Sequence, residues 1–125
     1  MKTILVVEDE KPIQLAISAK LAHEGFGVLQ ASDGEMGLSI ALEKHPDLIL
    51  LDIVMPKMDG MTVLKKLRQD DWGKNVPILV LTNLSDDVKI NQSISNNVFD
   101  YLIKTNWKLE DVVHKVKETL QLHNA

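Results

Sequence analysis

Five short apolar runs alternate with longer stretches whose apolar residues recur at helical spacing. Thr3-Ile4-Leu5-Val6-Val7, Leu48-Ile49-Leu50-Leu51 and Ile78-Leu79-Val80-Leu81 are almost wholly apolar, as strands buried on both faces read. Gly27-Val28-Leu29-Gln30-Ala31 reads as a short second strand nearer an edge, and Tyr101-Leu102-Ile103 as the last. Strands that alternate with helices require right-handed crossovers and a parallel sheet covered on both faces. The pattern is (βα)5, an α/β doubly wound domain expected to span residues 1–125.

The helical stretches carry their own punctuation. Pro12 suits a first turn that Asp9 or Glu10 can cap, and Ile13, Ala16, Ile17, Leu21 and Ala22 follow as the expected apolar stripe, stopped by Gly25. Asp33-Gly34 opens a second helix carrying Met36, Leu38, Ile40, Ala41 and Leu42, ended by His45-Pro46-Asp47. Asp59 caps a third with Met61, Val63, Leu64 and Leu67, expected to run to Trp72-Gly73. Ser85 caps a fourth over 85–97, where Asn91, Gln92, Ser93, Ser95 and Asn96 give poor helix propensity. The last presents Leu109, Val112, Val113, Val116 and Leu120, with Glu110 and Asp111 early and Lys115 and Lys117 late, matching the helix dipole.

Bulk properties narrow the function. The chain has 125 residues, net charge −4 and no long basic run, so direct nucleic-acid binding is not expected. No apolar stretch approaches the roughly 20 residues of a membrane helix, and the start lacks a secretory core. With no cysteine, disulfides and thiol chemistry are excluded, and a cytoplasmic location fits. The four histidines are scattered and do not pair at zinc spacing.

What remains is the rim. The first apolar run ends on Glu8-Asp9, the third on Asp52, the fourth on Thr82 and the fifth on Lys104. Carboxyl ends of parallel strands share one edge, where ligands of open α/β sheets bind. Three carboxylates crowded there either raise a pKa or recruit a cation, and oxygen donors without Cys or His favour a hard divalent ion such as Mg2+. Thr82 supplies a hydroxyl and Lys104 a point charge for a phosphoryl oxygen. Together these parts make a phosphoryl-transfer site. A carboxylate can itself attack phosphorus, and Asp52, on the expected central strand, ranks ahead of Asp9. Taken singly, each residue has a plainer role: Asp9 a cap, Glu8 a solvated acid, Lys104 a surface lysine, Tyr101 a half-buried strand aromatic. Trp72 and Trp107 are expected to pack. The combination carries the inference.

In order and spacing, Val6-Val7-Glu8-Asp9-Glu10, Asp47 to Asp52, Met55-Pro56-Lys57-Met58-Asp59-Gly60, Leu81-Thr82 and Asp100-Tyr101-Leu102-Ile103-Lys104 resemble the receiver domain of two-component response regulators, of the single-domain chemotaxis-regulator kind. The resemblance covers essentially the whole chain. It implies a flavodoxin-like five-stranded sheet of order 2-1-3-4-5, an order carried over from known sheets rather than read from this sequence. It further implies that Asp52 accepts a phosphoryl group from a histidine kinase or phosphotransfer protein. Asp9, Asp52 and the Val54 main-chain carbonyl would hold Mg2+, with Glu8 acting through water. Thr82 and Lys104 would contact the phosphoryl group, and Tyr101 would move inward as Thr82 is drawn toward it. The protein would then be a phosphorylation-dependent switch rather than a conventional enzyme, a monomer or weak dimer whose downstream partner is a protein.

Two positions depart from the family pattern. Thr105 stands where proline is common, and Asn83 where a small residue is usual. They leave a second reading, an interaction module on the same fold that works without phosphate. A phosphatase would need a general acid and a substrate cap, for which the short connections leave little chain. A flavin carrier would need a phosphate loop that does not follow the first strand. Val54 sets no polar side chain beside the phosphoryl site to orient water. Slow self-dephosphorylation is therefore expected, and a phosphoryl lifetime of seconds, followed by intact mass, would contradict it.

Overall fold

The computed structural model describes residues 1–52, 58–82, 100–103 and 108–124. In chain order it places β1 (Thr3–Val7), α1 (Lys11–His23), β2 (Gly27–Ala31), α2 (Gly34–Lys44), β3 (Leu48–Asp52), α3 (Gly60–Arg68), β4 (Ile78–Thr82), β5 (Asp100–Ile103) and α4 (Leu109–Asn124). The strands form one sheet of order β2-β1-β3-β4-β5, every neighbouring pair parallel. This is the doubly wound arrangement expected above. The helix expected over 85–97 lies outside the described residues. No helix among the described residues is long and apolar enough to cross a membrane.

Alternation along the strands sorts the apolar side chains into two layers. Leu5 and Val7 of β1, Ile49 and Leu51 of β3 and Ile78 and Val80 of β4 pack with Ala41 of α2 and Val63, Leu64 and Leu67 of α3. Ile4, Val6, Leu48, Leu50, Leu79 and Leu81 face the other way, onto Ile17 and Leu21 of α1 and Val112, Val113, Val116 and Leu120 of α4. All of these strand residues are fully buried, and burying each such side chain contributes about 1.5–3 kcal/mol. The sheet is therefore fixed with side chains on both faces, and a one-residue slip of any inner strand would exchange them.

Helix ends follow local chemistry. Asp33 accepts from the Met36 N–H at 2.8 Å and Asp59 from the Thr62 N–H at 2.9 Å, each capping the helix it precedes. Glu10 occupies the cap position of α1 without a side-chain cap bond. His45 closes α2 in the left-handed region at φ 48°, and Gly25 turns the chain after α1 at φ 97°. The Lys117 ammonium lies 2.7 Å from Glu24, tying α4 to the end of α1. By hydrogen bond and charge it holds that carboxyl below its usual range.

Three details differ from the sequence expectation. α3 ends at Arg68, because Asp70 accepts from the Trp72 and Gly73 N–H groups at 3.0 and 2.9 Å and forms a turn of its own. On α2, Met36 and Leu42 are exposed while Gly37 and Ala41 face the sheet. On α1, Ala16 and Ala22 are exposed, and Gln14 and Ser18 are buried beside Ile17 and Leu21.

α2 can approach so closely because its inner face is glycine. A Cβ at Gly37 would stand 2.8 Å from a Val7 methyl, and one at Gly34 would stand 1.8 Å from the Met58 carbonyl oxygen. The second obstacle is backbone and cannot swing aside. Gly34→Ala is expected to destabilise by about 1–3 kcal/mol, as overpacking does. The exposed neighbour Glu35→Ala should stay within about 0.5 kcal/mol of wild type. Urea unfolding of the two variants checks the contrast.

Candidate functional site: an acidic cluster at the carboxyl ends of β1 and β3

The site is set by register. Val7 of β1 lies beside Leu51 of β3, so the next residues, Glu8 and Asp52, leave the two inner strands side by side. Each continues the side-chain alternation toward the α1 and α4 layer. Asp9 follows one residue later, at the turn into α1. Glu8, Asp9 and Asp52 each offer a carboxylate oxygen, and these three atoms lie within 4.8 Å of one another. Glu8 is fully buried, Asp52 is 3% exposed and Asp9 is exposed. Asp9 is thus the solvent-facing member of the group, and Glu8 and Asp52 are its buried members.

The turn that carries the acids is anchored. The Glu8 N–H donates to the Ala31 carbonyl at 3.0 Å, extending the β1–β2 ladder one residue beyond the strand. The Glu10 N–H donates to Glu8 Oε2 at 3.2 Å. Fully buried Gln14, on the first turns of α1, sends its amide nitrogen to the Glu8 and Ala31 carbonyl oxygens, 3.0 Å each. α1 also begins here, so the positive end of its dipole faces the carboxylates.

Three carboxylates this close repel one another unless a proton is taken up or a cation lies among them. All three donors are oxygen, and two of the three residues are buried while Asp9 is exposed. This suits a small hard ion that keeps several waters and takes few protein carboxylates, as Mg2+ does. The donor set thus fits the metal that the sequence suggests.

The other expected residues fall along the same rim or beyond the described chain. Asp52 pairs with Leu81 on β4, and Thr82 pairs with Ile103 on β5. Thr82 and Tyr101 are thus strand residues at or near this edge, described by their backbone alone. Val54, Asn83, Lys104, Thr105 and Trp107 lie outside the described residues. Trp72 packs as expected, stacked on His45 with ring centroids 4.4 Å apart and set against the α2–α3 layer. Gln14 is absent from the residues that the sequence singles out. Its signal was a polar residue at helical spacing with Ile17 and Leu21, on the face that the crossover must bury.

Comparison with known proteins agrees with the geometry. The family model described as the response regulator receiver domain matches residues 4–117. The DNA-binding dual master transcriptional regulator RpaA of Synechocystis sp. is 36% identical over 97% of this chain and 50% of its own length. Response regulator ArlR of Staphylococcus aureus is 31% identical over 97% of this chain and 53% of its own. The chain thus spans about half the length of these curated relatives. Among solved structures, the chemotaxis response regulator CheY4 of Vibrio cholerae superposes with a TM-score of 0.87 at 28% identity, covering 95% of this chain and 98% of that one. A putative response regulator from Chloroflexus aurantiacus gives 0.87 at 30% identity, over 96% and 98%. With a family model matched over nearly all of its length and a fold shared with single receiver domains, this chain belongs to the response regulator receiver domain family.

Proposed function

We propose that this chain is a phosphorylation-dependent signalling switch in which Asp52 accepts a phosphoryl group from the phosphohistidine of a histidine kinase or phosphotransfer protein. The observation that carries the reading is the group of Glu8, Asp9 and Asp52 oxygens within 4.8 Å of one another at the carboxyl ends of β1 and β3. Response regulators are signalling proteins rather than conventional enzymes, and the site is read as assisting its own phosphorylation and dephosphorylation. Residues 1–125 are read as a single receiver domain, acting in the cytoplasm as a monomer or weak dimer.

The chemistry follows from the residues. An Asp52 carboxylate oxygen attacks phosphorus, the phosphorus–nitrogen bond of phosphohistidine breaks, and the imidazole leaves with the bonding pair. Asp9, Asp52 and the Val54 carbonyl would hold Mg2+, with Glu8 acting through a water. Bound there, Mg2+ would neutralise charge on the carboxylates and on the phosphoryl oxygens. Thr82 donates its hydroxyl and Lys104 its ammonium to the same oxygens. Asp52 is buried, and positioning with charge neutralisation is most of what phosphoryl transfer asks of a protein.

Phosphorylation then adds about −1.5 to −2 charges and new acceptor oxygens. States that bring Thr82 and Lys104 closer are favoured, and Tyr101 moves inward as Thr82 is drawn toward the phosphoryl group. The segment over 85–97, with its weak helix propensity, is the part of the sequence most able to reorganise. With the strand at 101–103 and α4 it would form the surface that a downstream protein reads. Direct contact with nucleic acid or membrane is not part of this reading, given the net charge of −4.

Intact mass after incubation with Mg2+ and acetyl phosphate tests the proposal. A single phosphoryl adduct is expected, absent in Asp52→Asn and absent without Mg2+, with altered amide exchange over 85–97 in the adduct. No adduct on folded protein that binds Mg2+ would favour the phosphate-independent interaction module instead.

A further inference from the structure

Gln14 is a fully buried polar side chain on a helix face otherwise committed to the core. Its two amide protons go to the Glu8 carbonyl and the Ala31 carbonyl, 3.0 Å each, with the Ser32 hydroxyl at 3.4 Å. Main-chain carbonyls only accept, so the amide nitrogen must face the strand ends and Oε1 must face away. There Oε1 accepts from the Lys11 ammonium at 3.1 Å. The Lys11 charge polarises the amide and strengthens both of its donations.

The Glu8 carbonyl belongs to the peptide that joins Glu8 to Asp9. Because that unit is planar, fixing its oxygen fixes the direction in which the chain enters Asp9. The Glu8 N–H is already held by the Ala31 carbonyl at 3.0 Å. Main-chain contacts thus hold Glu8 at both its donor and its acceptor. One side chain, reaching back from α1, sets the peptide plane between two members of the carboxylate group. It also bridges the ends of β1 and β2, which the Glu8 N–H to Ala31 carbonyl bond already joins.

Resting on the reading of this group as a divalent-cation site, we propose that Gln14 is a positioning residue for the cation. It holds the Glu8–Asp9 peptide so that the Asp9 carboxylate stands over Asp52. Partners that orient ligands typically govern 10–100-fold in affinity. Gln14 acts on the main chain of the ligating segment rather than on a carboxylate, so about tenfold, the lower end, is expected.

The test is Mn2+ affinity of the full chain, read from the electron paramagnetic resonance of the free aquo ion. Gln14→Met keeps length and volume and removes both donors. It should bind Mn2+ about tenfold more weakly than wild type. Gln14→Asn keeps an amide one methylene short of the strand ends; it should also lose affinity, and serves if the methionine variant does not fold. Ile17→Val loosens the same helix without touching the strand ends, and should lower the melting temperature with affinity unchanged. Wild-type affinity in a folded Gln14→Met or Gln14→Asn would overturn the positioning role, as would an equal loss in Ile17→Val. The underlying reading fails separately, and takes the inference with it, if wild type does not bind Mn2+ or if Asp9→Asn binds it as tightly.

Discussion

The parallel pairing of β1 with β3 is the constraint on which the rest of the molecule depends. Val7 lies beside Leu51, and from that match everything at the carboxyl rim follows. Shifting β3 by one residue would turn Asp52 toward the other face and take it away from Glu8. The register is in turn imposed by burial: Ile4, Val6, Leu48 and Leu50 pack toward α1 and α4, and Leu5, Val7, Ile49 and Leu51 toward α2 and α3. Misaligning them would move side chains of different shape into each other's places in a close-packed interior. The two apolar layers are thus the device that brings carboxylates together.

That convergence opposes stability. Glu8 and Asp52 are both removed from solvent, and charge withdrawn from water is costly unless it is compensated. The surrounding elements supply compensation from several directions. The Glu10 N–H donates to the Glu8 carboxylate, the start of α1 presents its positive end, and a divalent ion would neutralise what remains. Gln14 and the glycines of α2 belong to the same scheme. The first ties the turn carrying the acids to β2, and Gly34 and Gly37 let α2 close against Met58 and Val7 on the other side of β1.

Much of this was legible in the sequence for a simple reason. A strand buried on both faces must be apolar along its length, and a polar residue that ends such a run is conspicuous. Asp52 after Leu48-Ile49-Leu50-Leu51 shows this; Asp33 and Asp59 are legible for a different reason, since capping depends only on neighbouring N–H groups. Contacts between distant elements were less legible. Alanine counts as apolar wherever it lies, so Ala16 and Ala22 suggested the wrong face of α1, and the burial of Gln14 depends on where β2 ends. The end of α3 was overestimated because Asp70 makes a turn that helical periodicity does not register. Glu8 read alone is a solvated acid; only the register beside β3 buries it.

The unfolding midpoints of wild type and Asp52→Asn, with and without Mg2+, test the cation site at the β1–β3 rim most directly. A ligand that binds only the folded state stabilises it by about 2.7 kcal/mol at a hundredfold excess over its Kd. If Glu8, Asp9 and Asp52 form one cation site, Mg2+ raises the wild-type midpoint and leaves Asp52→Asn nearly unmoved. An equal rise in both proteins, or none in wild type, would contradict the claim that the β1–β3 register builds a metal-dependent phosphoacceptor.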